Sequence, residues 1–197
     1  MKSLMKLPYY HILKLFYDQV NAPLHLREIS RRIKLNESSA TRHLNALAKN
    51  KILITKKEAN LKLFSIYKPA ISSIYPLFDE ERLSSLPLLR RNAILYYLKQ
   101  LEQKPVILLI FGSTAKGTAQ EDSDLDLLEV VYAKKDRKKA KEYVLAQTGV
   151  RVQSFQITEK EFQNELKLKK DQLVQSAINT GFPVFNCKYY YEMINNE

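Results

Sequence analysis

The chain has a single cysteine, Cys187. No intrachain disulfide can form, and so little sulfur points to a reducing, cytoplasmic compartment. No apolar run approaches the roughly 20 residues that a membrane span needs. Residues 1–7 are too short and too polar for a signal peptide. There is no internal repeat and no low-complexity tract. With 45% hydrophobic and 27% charged residues over 197 positions, the chain can build a packed core, in one domain or in two small ones.

Acidic residues are scarce in one part of the chain. Residues 1–75 hold 4 Asp/Glu against 14 Lys/Arg, a net of +10, while residues 76–197 hold 17 against 18. The formal charge of +11 therefore belongs almost wholly to the N-terminal third, which is expected to meet a polyanion.

The stretch ILLIFGSTAKGTAQEDSDLDLLEV holds the most specific pattern. It reads as an apolar strand, a tight turn, a short polar loop and a second apolar strand carrying Asp124 and Asp126. Alternation along a strand sends both carboxylates to one face, with Cα atoms roughly 7 Å apart. Carboxylates set among leucines need a cation. Mg²⁺ or Mn²⁺ fits, since a hard cation takes one or two carboxylates plus substrate phosphates. Gly112 and Ser113 fall where a strand becomes a helix, and free amides there can hold phosphate oxygens. The other reading is an Asp-rich turn between core strands, capped locally by Ser123 or Asp124.

Gly-Ser, ten residues, Asp-x-Asp resembles the signature of the minimal nucleotidyltransferases of the polymerase-β superfamily. Gly112, Ser113, Asp124 and Asp126 match it at its spacing, Lys116 and Gly117 match its basic-Gly pair, and Ser123 its Ser before the first Asp. The resemblance implies Asp124 and Asp126 as catalytic metal ligands, Gly112, Ser113, Lys116, Gly117 and Ser123 as nucleotide contacts, and an NTP, ATP above all, as ligand or substrate. It also implies a third carboxylate on a neighbouring strand. The candidate strand, Val150–Thr158, has no Asp or Glu, and Gln153 or Ser154 stands in that place. Two cations about 3.5–4 Å apart need more negative charge than two carboxylates give. Glu129 faces away from Asp126 unless the strand bends.

Upstream, Pro8–Val20 carries a helical stripe of Ile12, Leu13, Leu15 and Phe16. Leu26–Ile33 is expected as a second helix, and Asn36 as the cap of a third, Glu37–Asn50. Its apolar face is Ala40, Leu44, Leu47 and Ala48. The opposite face shows Ser38, Ser39, Arg42, Asn45, Ala46 and Lys49, small, polar or basic side chains suited to a major groove. Two β-rich runs, Ile52–Lys57 and Leu61–Tyr67, joined by Glu58-Ala59-Asn60, form a hairpin with Lys56, Lys57 and Lys62. Three helices and a hairpin resemble the winged helix-turn-helix regulators, which implies double-stranded DNA as a partner. A winged helix used only for protein docking is the alternative. His25 and His43 are expected as cap or solvent residues.

Residues 71–87, rich in Pro and Ser, are expected as a linker with a short helical piece at Ser72–Leu77. Leu88–Gln103 is expected as an amphipathic helix that opens the second domain or pairs subunits of a homodimer. Lys134–Gln147 is expected as a helix with a basic start, either a solvated face or a contact to phosphates. Helices at Glu159–Leu168 and Asp171–Asn179, a strand at Phe182–Phe185 and a helix at Lys188–Ile194 complete the chain, with Tyr189–Tyr191 as packing. The segments Thr158–Phe162 and Gly181–Phe185 resemble an archaeal group that joins a winged helix to a minimal transferase.

The expected fold class is therefore α+β. A winged helix-turn-helix covers 1–70, and an α/β nucleotidyltransferase domain with a mixed sheet covers 88–197. The main functional expectation is a DNA-binding, transcriptional regulator-like protein whose second domain binds Mg-NTP. The alternative is an active enzyme that moves NMP to a protein or nucleic acid; the family includes antitoxins that adenylylate a partner toxin. A purely structural transferase fold is the third possibility, against which the intact signature stands.

Overall fold

The computed structural model describes residues 7–19 and 22–195. Val20, the expected end of the first helix, lies outside them, as do residues 1–6. The described chain falls into two units, one ending at Phe78 and one beginning at Asp79.

The first unit starts with three helices, α1 (Leu7–Asp18), α2 (Leu26–Ile33) and α3 (Glu37–Lys49). The expected stripe of α1 is used: Ile12, Leu13 and Phe16 are buried, and Leu15 is half-buried. His25 caps α2 by accepting the Glu28 N–H at Nδ1, 3.3 Å. Asn36 caps α3 by accepting the Ser39 N–H at 2.8 Å. Ala40, Leu44 and Leu47 face inward. The hairpin forms from β2 (Leu53–Glu58) and β3 (Leu61–Ile66). Glu58 belongs to the strand, opposite Leu61, so the turn is only Ala59-Asn60. Ala59 takes a left-handed φ of 51° there. A two-residue strand that the sequence did not announce, β1 (Leu24–His25), pairs with β3 and gives the order β1-β3-β2.

The expected linker is instead an 18-residue helix, α4 (Lys68–Ser85). Pro69 stands in its first turn, where a missing N–H costs nothing. Pro76 lies inside it. Tertiary packing explains why the helix persists: Ile71, Tyr75 and Phe78 are buried, and Tyr75 and Phe78 meet Tyr17 at 5.0 and 5.2 Å between ring centroids. Such burial outweighs a weak local propensity.

The second unit is a four-stranded mixed sheet in the order β6-β5-β4-β7. Its strands are β4 (Ile107–Phe111), β5 (Leu125–Val131), β6 (Val152–Thr158) and β7 (Phe182–Phe185). Only β5 and β6 run parallel. One face of the sheet is covered by α5 (Leu88–Gln100) and α7 (Lys138–Thr148), through Ala93, Ile94, Tyr97, Ala140 and Val144. Further helices are α6 (Gly112–Lys116), α8 (Glu159–Leu168), α9 (Gln172–Thr180) and α10 (Cys187–Asn195). A full capping box by Thr158 and Glu161 starts α8, and Asp171 caps α9. In the tyrosine run, Tyr190 and Tyr191 are buried and Tyr189 is exposed. Among the described residues no helix is long and apolar enough to cross a membrane.

The basic segment after β5 departs from expectation. The helix begins at Lys138, not Lys134, and Arg137 just before it turns inward. Its Nε and Nη2 donate to Glu129 Oε2 at 2.9 and 2.8 Å. Glu129 is wholly buried and also accepts the Tyr97 hydroxyl at 2.6 Å. Burial, and then the neighbouring Glu129, push the Tyr97 phenol far up. Arg137→Met should therefore cost about 3–5 kcal/mol in urea unfolding, because it strands a buried carboxylate. Adding Glu129→Gln, which removes the charge but keeps an acceptor for Tyr97, should recover much of that loss.

Candidate active site

The signature folds as its spacing requires. All five residues of β4 are buried. At the end of β4 the chain turns abruptly into α6, whose first residue, Gly112, has a φ of +66°. A Cβ at Gly112 would overlap Asp126 Oδ2 and lie 3.0 Å from its Cγ. Only glycine allows both that backbone angle and that approach. Gly117 closes α6 at φ +71°, its N–H bonding back to Ser113 and Thr114. Ser113 is half-buried and Lys116 exposed.

Asp126 lies one residue into β5, opposite Phe111 on one side and Gln153 on the other. Asp124 precedes the strand. The two carboxyls are close enough to interact: burial, and next the charge of Asp124, raise the pKa of Asp126, while Arg90 opposes the rise. Asp124 Oδ1 is buried and accepts no hydrogen bond among the described residues. Two carboxylates that repel each other, one with an orphaned oxygen, fit a single hard cation completed by water or phosphate. No group of three or more His, Cys, Asp or Glu side chains that could hold a metal occurs among the described residues.

The parallel register separates the two residues expected beside the carboxylate pair, Gln153 and Ser154. Gln153 pairs with Asp126 and shares its face of the sheet, exposed. Ser154, the other candidate, pairs with Leu127 and so takes the opposite face, on Tyr97's side. Glu129 is on that opposite face too, fixed to Tyr97 and Arg137, and cannot serve the site.

The Ser123 hydroxyl is engaged locally, as the reading of a capped turn expected, accepting the Gln120 N–H at 2.9 Å. One feature of the loop was not legible in the sequence: beneath it lies Arg90 of α5, only 7% exposed. It donates to Thr114 Oγ1 at 2.9 Å and to the Gln120 and Ser123 carbonyls at 2.6 and 2.9 Å. One guanidinium thus joins α6 to the far limb of the loop. Its only sequence signal is an arginine on the inward stripe of an amphipathic helix.

The other predicted surface lies in the first unit. Ser38, Arg42, Asn45 and Lys49 are exposed along α3, Ser39 is half-buried, and Lys56, Lys57 and Lys62 are exposed on the hairpin. Lys62 Nζ reaches Asn45 Oδ1 at 3.5 Å, which ties β3 to α3. Beyond Leu53, β2 is exposed on both faces.

Residues 91–188 match the family model of the nucleotidyltransferase domain. A solved structure described as a toxin–antitoxin with AMP-PNP is similar over 53% of this chain and 80% of its own, at 18% identity and a TM-score of 0.41. No curated protein matches the sequence.

Asp126→Asn should raise stability near neutral pH, by up to about 1 kcal/mol, because it removes a charge that both burial and Asp124 oppose. The sign follows from the raised pKa. The penalty exists only where the carboxyl is ionised, so the gain should vanish as pH falls through the titration of Asp126. Denaturant melts of wild type and variant at neutral and acidic pH check this. Gly112→Val should destabilise by roughly 1–3 kcal/mol, from the left-handed φ and the overlap with Asp126.

Proposed function

We propose that the second unit is a nucleotidyltransferase that takes Mg-ATP and moves its AMP to a hydroxyl acceptor. The carrying observation is the fit of Gly112 against Asp126, with Asp124 beside it, inside a segment that matches the nucleotidyltransferase domain. In this reading the backbone turn at Gly112-Ser113 admits the phosphates, and exposed Lys116 adds charge on that side. A bound Mg²⁺ or Mn²⁺ would be held by Asp124 and Asp126 and would polarise the phosphoryl group as a Lewis acid. The acceptor oxygen bonds to the α-phosphorus as the bond to pyrophosphate breaks, and the hydroxyl proton passes to water. Arg90 keeps Thr114, Gln120 and Ser123 in register, so the loop is preorganised before nucleotide arrives. The resemblance to minimal transferases, some of which modify partner toxins, favours a protein acceptor.

One observation favours a second reading, a nucleotide-binding sensor that transfers slowly or not at all. Gln153 occupies the register position beside Asp126 where a third carboxylate would draw in a second cation. Incubation with ATP labelled at the α-phosphate, in the presence of candidate partner proteins, separates the two. Transfer by wild type that disappears in Asp126→Asn supports the enzyme. Binding without transfer, with transfer appearing in Gln153→Glu, supports the sensor.

For the first unit we propose a winged-helix role on double-stranded DNA, for targeting or autoregulation. Lys57 and Lys62 are direct cross-strand partners. Like charges placed opposite each other are unfavourable by themselves, and a phosphate backbone relieves that repulsion. Exposed Arg42 on α3 would reach a base edge. The full chain should bind duplex DNA with a steep salt dependence. Arg42→Ala should weaken a specific site by roughly 1–3 kcal/mol. Undiminished binding by a variant with Arg42, Lys49, Lys56 and Lys57 all changed to Ala would remove this surface from consideration.

A further inference from the structure

Asp124 has a basic neighbour placed by the backbone. The Arg151 carbonyl accepts the Leu125 N–H at 2.8 Å. That bond opens the β5–β6 ladder and sets Arg151 beside Asp124. Its Nη1 stands 3.7 Å from Asp124 Oδ1, beyond hydrogen-bond length, and the Arg151 side chain is 75% exposed. The carboxylate oxygen it faces is the one that is buried and accepts no hydrogen bond among the described residues. Charge therefore meets charge without the hydrogen bonds that would lock the pair.

The consequence for ligands follows from charge. Two carboxylates and one divalent cation cancel, and the neutral Gln153 gives a second cation little to hold. A nucleotide's triphosphate would then lack the positive charge that a second cation brings. A guanidinium suits that task, because its planar fork matches phosphate oxygens.

We propose that Arg151 is an exchangeable counter-ion of this site. It neutralises Asp124 in the absence of ligand, gives way to a divalent cation, and then binds the nucleotide's phosphates in place of a second cation. The nucleotide half rests on the nucleotidyl-transfer reading above; the exchange with metal does not.

Calorimetry on the full chain tests both halves, with MnCl₂ alone and then with Mg-ATP. In Arg151→Met, Mn²⁺ should bind about two- to fivefold more tightly, since it no longer competes with an exposed ion pair. Mg-ATP should bind about tenfold more weakly, from the lost charged hydrogen bonds. In Arg151→Lys, which keeps the charge without the fork, Mn²⁺ should bind as in wild type and Mg-ATP at an intermediate strength. Opposite shifts in the two affinities are what a merely structural arginine would not produce. Unchanged Mn²⁺ affinity in Arg151→Met, or a fall in both affinities, overturns the proposal. Wild type that binds Mn²⁺ but no Mg-ATP would instead overturn the nucleotidyl-transfer reading, and the Mn²⁺ comparison alone would then decide the exchange with Asp124.

Discussion

The arrangement of the second unit depends on a guanidinium under a loop. Arg90 touches both limbs of the segment between β4 and β5, through Thr114 on one side and the Gln120 and Ser123 carbonyls on the other. A buried cation is stable only when its donors are satisfied, so the loop has one shape in which Arg90 is content. That shape presents Gly112 against Asp126. Burial and then Asp124 raise the pKa of Asp126, and the same guanidinium partly opposes that rise, so one side chain bears on both the geometry and the electrostatics of the carboxylate pair.

The sheet keeps two kinds of charge apart. On one face of β5, Glu129 is sealed with Arg137 and Tyr97; on the other, Asp126 remains half-buried beside exposed Gln153. The period of two along the strand makes that division. A carboxylate three residues from Asp126 is thereby a core element with no access to the site, although in sequence it looks like a neighbour.

Much of this was legible from residue order. The strand–turn–helix at Gly112, the cap at Asn36, and the ranges of α2, α8 and β7 follow from apolar period and capping chemistry. What stayed hidden depends on partners distant in sequence. The prolines of α4 read as a linker because the aromatic packing of Tyr75 and Phe78 with Tyr17 is not local. Arg137 read as one more surface cation because Glu129 meets it only across the fold. Arg90 and Arg151 carried no motif, and the β5–β6 register that puts Gln153, and not Ser154, on the face of Asp126 exists only once the strands pair.

Glutamine and glutamate codons differ by a single base. Position 153 is exposed and has no structural task visible in the core, so a lineage can place or withdraw a negative charge beside Asp126 in one mutational step without disturbing the fold. The negative charge that the Asp124–Asp126 pair offers a cation can thus change in one step, while the scaffold that presents it stays the same.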